Sequence, residues 1–99
     1  MIFELEFSPE SKLQLANLKH DPGLEKRYKA VSKALKYLET NPKHPSLNVH
    51  PFESFLGPRG EKIWEAYAEN NTPGAYRIFF SYGPGKRMIS ILTVIPHPD

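Results

Sequence analysis

The sequence contains no cysteine. That excludes a disulfide scaffold, a thiolate metal site and a catalytic thiol. Long apolar runs are also missing. The longest apolar stretch, Met88 to Ile95, is broken by Ser90 and Thr93 and is far too short to span a bilayer as a helix. Neither sign of charge dominates. Thirteen basic and 11 acidic residues give a net charge of +2, which permits an anionic partner without demanding one. The opening Met1-Ile2-Phe3-Glu4-Leu5-Glu6 has acids where a secretory signal has bases, so a cytoplasmic protein is expected. There is no internal repeat, low-complexity tract or linker-like stretch. There is also no phosphate-cradling glycine loop, nucleophile elbow or zinc-protease helix motif. What is present is 99 residues, 39% apolar and 12% aromatic, which favours order over disorder. The length allows a single domain over 1–99 with one thin core.

Proline is scarce in the first forty residues, with only Pro9 and Pro22, each at a helix-start signal. The other eight prolines lie at position 42 or later. A helical first part and a strand-and-turn second part are therefore expected. In Met1 to Phe7 the side chains Phe3, Leu5 and Phe7 alternate with Glu4 and Glu6, as in a half-buried strand. Ser8-Pro9-Glu10 supplies a cap, a first-turn proline and an acid for the positive end of a helix carrying Leu13, Leu15, Ala16 and Leu18. That helix ends near His20, and Asp21-Pro22 opens a second one. In it Leu24, Tyr28, Val31, Leu35 and Leu38 recur at spacings of 4, 3, 4 and 3, a narrow apolar stripe that Asn41-Pro42 ends.

From Asn41 to Gly60 prolines and glycines point to irregular chain with a short strand near Val49 to Phe52. Glu61 to Ala68, Ala75 to Tyr82 and Arg87 to Ile95 read as three strands. They are joined at hairpin distance through Asn70-Asn71-Thr72-Pro73-Gly74 and Gly83-Pro84-Gly85-Lys86. Two helices on one face of a mainly antiparallel sheet give a two-layer α+β fold of order β-α-α-β-β-β, with the other face left open.

Arg77 interrupts the apolar run Ala75-Tyr76-Arg77-Ile78-Phe79-Phe80. A charge there must reach water, find a partner such as Glu65 or Glu69 across the hairpin, or bind an anion with its fork of donors. His97 follows Ile95-Pro96 and is either a surface residue or a proton-transfer group. Whether it shares a face with Arg77 depends on hairpin register. Arg59 and Lys62 flank Gly60, as a solvated turn or as a basic rim of the open face. Lys26, Arg27, Lys29, Lys33 and Lys36 form a basic helix side, ordinarily a solvated one. Trp64, Tyr67, Tyr76, Phe79, Phe80 and Tyr82 read as packing, with an exposed one or two free to stack on bases. The spacing of His44, His50 and His97 matches no compact metal-ligand pattern.

The order of these elements and four stretches together resemble the RelE/ParE superfamily of toxins from toxin–antitoxin systems. The stretches are Phe7-Ser8-Pro9-Glu10 with the helical hairpin, Leu35 to Pro42 followed by His44-Pro45, Gly57 to Tyr67 with Ile63-Trp64-Glu65, and Pro73 to Phe80 continuing through Ile89-Ser90-Ile91-Leu92 to His97. The resemblance implies a toxin, in most of the family a ribosome-dependent, metal-independent mRNA endoribonuclease that inhibits translation. A smaller branch poisons DNA gyrase, and inactive relatives that only bind a partner are the other alternative. It further implies an antitoxin protein, mRNA and the ribosome as partners, with no cofactor, no metal and no membrane. By position in the family pattern Arg77 would stabilise charge on the scissile phosphate and His97 would move a proton. Arg59, Lys62, Lys43 and Arg87 would hold RNA phosphates. The general base stays open among Glu53, Glu61, Glu65, Tyr67 and Tyr76.

Overall fold

A computed structural model describes residues 2–97. The chain runs β1 (Glu4–Phe7), α1 (Pro9–His20), a 3₁₀ turn at Pro22–Leu24, and α2 (Glu25–Thr40). It continues through a second 3₁₀ turn at Pro45–Leu47 into β2 (His50–Leu56), β3 (Lys62–Tyr67), β4 (Tyr76–Tyr82) and β5 (Met88–Pro96). The strands form one sheet in the order β1-β5-β4-β3-β2. β1 lies parallel to β5 and all other neighbours are antiparallel. This is the expected two-layer α+β architecture. The short strand expected near Val49 to Phe52 is longer, reaching Leu56, and makes the sheet five-stranded.

The stripe on α2 does what its spacing predicts. Val31 and Leu38 are fully buried, and Leu24, Tyr28 and Leu35 pack at the edge of the core. With Ala34 and Leu18 they cover Ala66, Ile78, Phe80, Ile89, Ile91 and Val94 on one sheet face. Leu24 itself sits in the 3₁₀ turn, where the Asp21 carboxylate accepts from the Gly23 N–H at 2.9 Å.

α1 is held differently. Leu13 is 64% exposed, while Ser11 is fully buried. β1 pairs with β5 only from Met88 to Ile91, so the edge of β5 beyond it needs other partners. α1 supplies them: Ser8 N–H and Ser11 Oγ donate to the Ile91 carbonyl, and Ser8 Oγ donates to Leu92. The Gln14 carbonyl accepts from the Val94 N–H at 2.6 Å. A helix with little apolar periodicity is thus seated by hydrogen bonds to a strand edge.

The opposite sheet face carries no helix. Its middle is an apolar cavity of about 310 Å³ between Phe52, Ile63, Phe79 and Ile95, rimmed by Phe55 and Leu56, which are both exposed. No helix is long and apolar enough to cross a membrane among the described residues.

Candidate active site

Register decides which polar side chains meet. Tyr67 on β3 is opposite Arg77 on β4, and Arg77 is opposite Ile95 on β5. Two residues along, His50 on β2 is opposite Glu65, and Glu65 is opposite Phe79. Directly opposed residues share a face, so His50, Glu65, Tyr67 and Arg77 all stand on the helix-free face. The His97 N–H donates to the Ala75 carbonyl at 2.7 Å, continuing the ladder past the end of β5. By strand alternation His97 falls on the face of Ile95 and Arg77.

Arg77 is only 8% exposed and is held from three sides. Its Nη1 donates to the Glu69 carbonyl at 2.6 Å. Its guanidinium lies 3.7 Å from the centroid of the Tyr67 ring, a cation–π contact on the ring face. Its Nε stands 3.5 Å from Glu65 Oε2, an ion pair whose two atoms make no hydrogen bond. A pair this buried, with only charge between those atoms, fixes position more than it adds stability. Of the two acids expected as partners, Glu65 pairs with Arg77, whereas Glu69 meets it only through its backbone carbonyl and gives its carboxylate to Arg27.

The hairpin that carries this cluster is tied down from α2. Arg27 Nη1 donates to Glu69 Oε1 at 2.9 Å and to the Gly74 carbonyl at 3.0 Å, and Nη2 donates to Pro73. The same Glu69 oxygen accepts from the Tyr76 N–H at 3.1 Å. So Arg27 fixes Glu69, and Glu69 through its carbonyl fixes Arg77. Arg27 lies on the basic helix side but is a structural clamp there, not a solvated charge.

His50 joins the site unannounced. Its Nδ1 lies 2.6 Å from the Asn48 carbonyl and its Nε2 lies 2.8 Å from Glu65 Oε1. Both ring nitrogens thus face oxygen atoms, which fixes the orientation of the ring. His50 also meets the Tyr67 ring edge-on at 5.6 Å. His44 is elsewhere, stacked on Tyr37. Among the described residues no group of three or more His, Asp or Glu is placed to hold a metal ion.

Of the five candidates for a general base, Glu65 and Tyr67 are brought to Arg77. Glu53 is exposed near the far edge, and Glu61 belongs to the β2–β3 turn. Tyr76 packs with the core on the helix side and lies under Arg27.

The four expected RNA-binding cations do not surround Arg77. Lys62 is not on the rim of the open face. Its Nζ sits 4.9 Å above the ring of Trp64, which belongs to the helix-covered face opposite Phe80. Lys43 lines the same neighbourhood as Trp64 and Tyr82. Arg59 is exposed in the β2–β3 turn, where its N–H donates to Glu61 Oε1 at 2.7 Å. Arg87 is exposed at the β4–β5 hairpin, its carbonyl accepting from the Glu4 N–H. Along β4, Arg77 and Tyr82 are five residues or roughly 17 Å apart at 3.3–3.4 Å per residue.

No protein-family model matches the sequence, and comparison with curated proteins finds no match. Solved structures do match over nearly the full length. The RelE of the archaeal RelE–RelB complex from Pyrococcus horikoshii aligns over 97% of this chain and 96% of that one, at 18% identity and a TM-score of 0.64. A YoeB/ParE toxin from Agrobacterium tumefaciens aligns over 97% and 100%, at 7% identity and a TM-score of 0.71. The E. coli DinJ–YafQ toxin–antitoxin complex contributes a chain aligned over 98% and 94%, at 14% identity and a TM-score of 0.61. The likeness is one of fold: this chain has the architecture shared by RelE, YoeB/ParE and YafQ toxins.

Proposed function

We propose that this chain is the toxin of a toxin–antitoxin pair and acts in the cytoplasm as a ribosome-dependent, metal-independent mRNA endoribonuclease. The observation that carries the proposal is Arg77, a nearly buried guanidinium locked between Tyr67, Glu65 and the Glu69 carbonyl on a helix-free sheet face. A fold shared with toxins solved beside RelB and DinJ supports an antitoxin as partner. Fold alone does not carry activity, so the chemistry is argued from the site.

RNA can be cut without an external nucleophile when its 2′-hydroxyl attacks the adjacent phosphorus. The O–P bond to the 5′-oxygen then breaks, leaving a cyclic phosphate. A base takes the 2′ proton, an acid returns one to the 5′-oxygen, and a fixed cation meets the charge gathering on the phosphate oxygens. Arg77 is that cation, pre-set because Tyr67 and Glu69 hold it before substrate arrives. Glu65 takes the 2′ proton, with His50 and Arg77 setting its orientation. His97 supplies the proton to the leaving oxygen from the last strand.

Induced expression in a bacterial host, with mapping of mRNA ends, tests this. Growth arrest with new mRNA ends is expected from the native chain and not from Arg77→Ala. Cleavage undiminished in Arg77→Ala removes Arg77 from the mechanism. A second reading draws on the partial neutralisation of Arg77 by Glu65, which weakens its claim on a phosphate. In that reading the chain is a non-catalytic relative that binds gyrase or another partner. Arrest without new mRNA ends, indifferent to His97→Ala, would favour it.

A further inference from the structure

We propose that the cleft between the β2 approach and Trp64 is a second RNA-binding site, which takes a single-stranded nucleotide by stacking its base and holding its phosphates. The cleft measures about 430 Å³, and its lining includes Lys43, His44, Asn48, Trp64 and Tyr82. It opens on the helix-covered side, at the end of the sheet away from Arg77.

Three observations point to this ligand. The first is aromatic surface left available. Tyr82 is 42% exposed although it packs edge-on against Trp64 and Phe80. Trp64 is only partly buried. Exposed aromatic surface of this kind, on Tyr82 above all, stacks on any base and so serves single strands without sequence choice.

The second is charge. Lys62 caps the Trp64 ring and Lys43 stands on the lining, while no lining residue is acidic. The Arg77 cluster, by contrast, sets two carboxylates, Glu65 and Glu69, among its charges. A polyanion therefore meets less opposition at the cleft than at the cleavage site.

The third is a fixed set of donors. His44 Nδ1 accepts from the Ser46 N–H at 3.2 Å, so its proton is carried on Nε2. The ring is immobilised face-to-face on Tyr37, 3.9 Å away. Burial pushes the Tyr82 hydroxyl up from its usual value, keeping it a neutral donor. Lysines, an imidazole N–H and a phenol beside aromatic faces suit a nucleotide better than they suit an apolar peptide.

Trp64 is the only tryptophan in the chain, so its fluorescence reports on this cleft alone. Titration of the full chain with a short single-stranded oligoadenylate should quench it saturably. Lys43→Ala/Lys62→Ala should weaken the midpoint about tenfold. It should also flatten the slope of log affinity against log salt by about 1.4, at roughly 0.7 for each single-strand phosphate that a lysine neutralises. The charge-matched Lys12→Ala/Lys19→Ala on α1 should change neither. Absent quenching, or quenching with the same midpoint in the Lys43/Lys62 variant, overturns the proposal. The proposal rests on the cleavage reading only in naming RNA as the polymer, and the two fail separately. Loss of mRNA cleavage with quenching retained strikes the first reading, and Arg77-dependent cleavage without quenching strikes this one.

Discussion

The two ends of the sheet handle positive charge in opposite ways. At the Tyr67–Tyr76 end Arg77 is buried, stacked, ion-paired and bonded to a backbone carbonyl. At the other end Lys43, Arg59, Lys62 and Arg87 are all exposed, and Lys62 rests on the face of Trp64. A buried cation costs desolvation but keeps one geometry, which is what stabilising a transition state requires. An exposed lysine costs little and has no fixed geometry, which suits holding a phosphate backbone of any sequence. On the proposed reading, the first end carries chemistry and the second adhesion.

The largest expected effects test the buried end. Arg77→Ala should lower mRNA cleavage by about 10²–10³, the range for removing one preorganised charge-stabilising donor. It should also destabilise the fold, by up to about 3–5 kcal/mol, because the buried Glu65 carboxylate then keeps His50 as its one partner among the described residues. Arg77→Lys separates the two effects: it keeps a charge near Glu65 but loses the fork and the Tyr67 stack, so stability returns further than activity. In urea unfolding, Arg77→Ala/Glu65→Ala should cost less than the sum of the single variants, because neither charge is then stranded. Additive costs would show that the pair is not a unit, and the contrast between the two ends would lose its basis.

Next is the clamp behind that end. Arg27→Ala removes hydrogen bonds to Glu69, Gly74 and Pro73. Net values for bonds to charged groups suggest a loss of about 1.5–3 kcal/mol in unfolding free energy. Cleavage should fall as well, although Arg27 lies on the opposite side of the hairpin from any substrate. Unchanged cleavage with lowered stability would mean that Arg77 keeps its place without Glu69.

How far these contrasts were readable in advance differs residue by residue. Arg77 stood out because a charge inside an apolar strand is a local anomaly, and Glu65 as its partner followed from the hairpin spacing, while the Glu69 carboxylate went to Arg27 instead. The stripe of α2 was equally plain, since one helix face had to meet a sheet. Lys62 was misplaced for a physical reason. Ile63, Trp64 and Ala66 put apolar groups on both sides of β3, so period-2 alternation gave no sign of which face the odd positions take. His50 gave no sign of its role, because only the β2–β3 pairing, 15 residues apart in sequence, sets it opposite Glu65. Ser11 and Gln14 carried no sequence signal, because the partner they satisfy, the edge of β5, lies 80 residues along the chain.

At the exposed end the expected effects are smaller. Lys62→Met removes only the cation–π contact with Trp64, worth about 0.5–1 kcal/mol at an exposed site. Thermal unfolding should detect little more than that, and a larger loss would show that Lys62 carries structure as Arg77 does. Arg59→Ala and Arg87→Ala should each stay within about 0.5 kcal/mol, as surface substitutions do.

The smallest effect concerns the turn that presents Arg59. The Arg59 N–H bonds the Glu61 carboxylate, and this bond, followed by Glu61's own N–H and the Arg59 charge, holds that carboxyl below its usual range. A depressed carboxyl stabilises the fold above its unfolded titration point, and the contribution is lost as pH falls through the folded one. The Glu61 carboxylate is solvated, so screening should keep this invisible in a melting curve. The amide resonance of Arg59 reports it instead: its shift should titrate with a midpoint below the ordinary carboxylate value, and Glu61→Gln should abolish the transition. Gly60, at φ of +79°, lets the chain turn tightly enough for this bond. An amide that titrates at the ordinary value would mean the turn holds Arg59 no more firmly than solvent does, making the contrast with the clamped Arg77 sharper still.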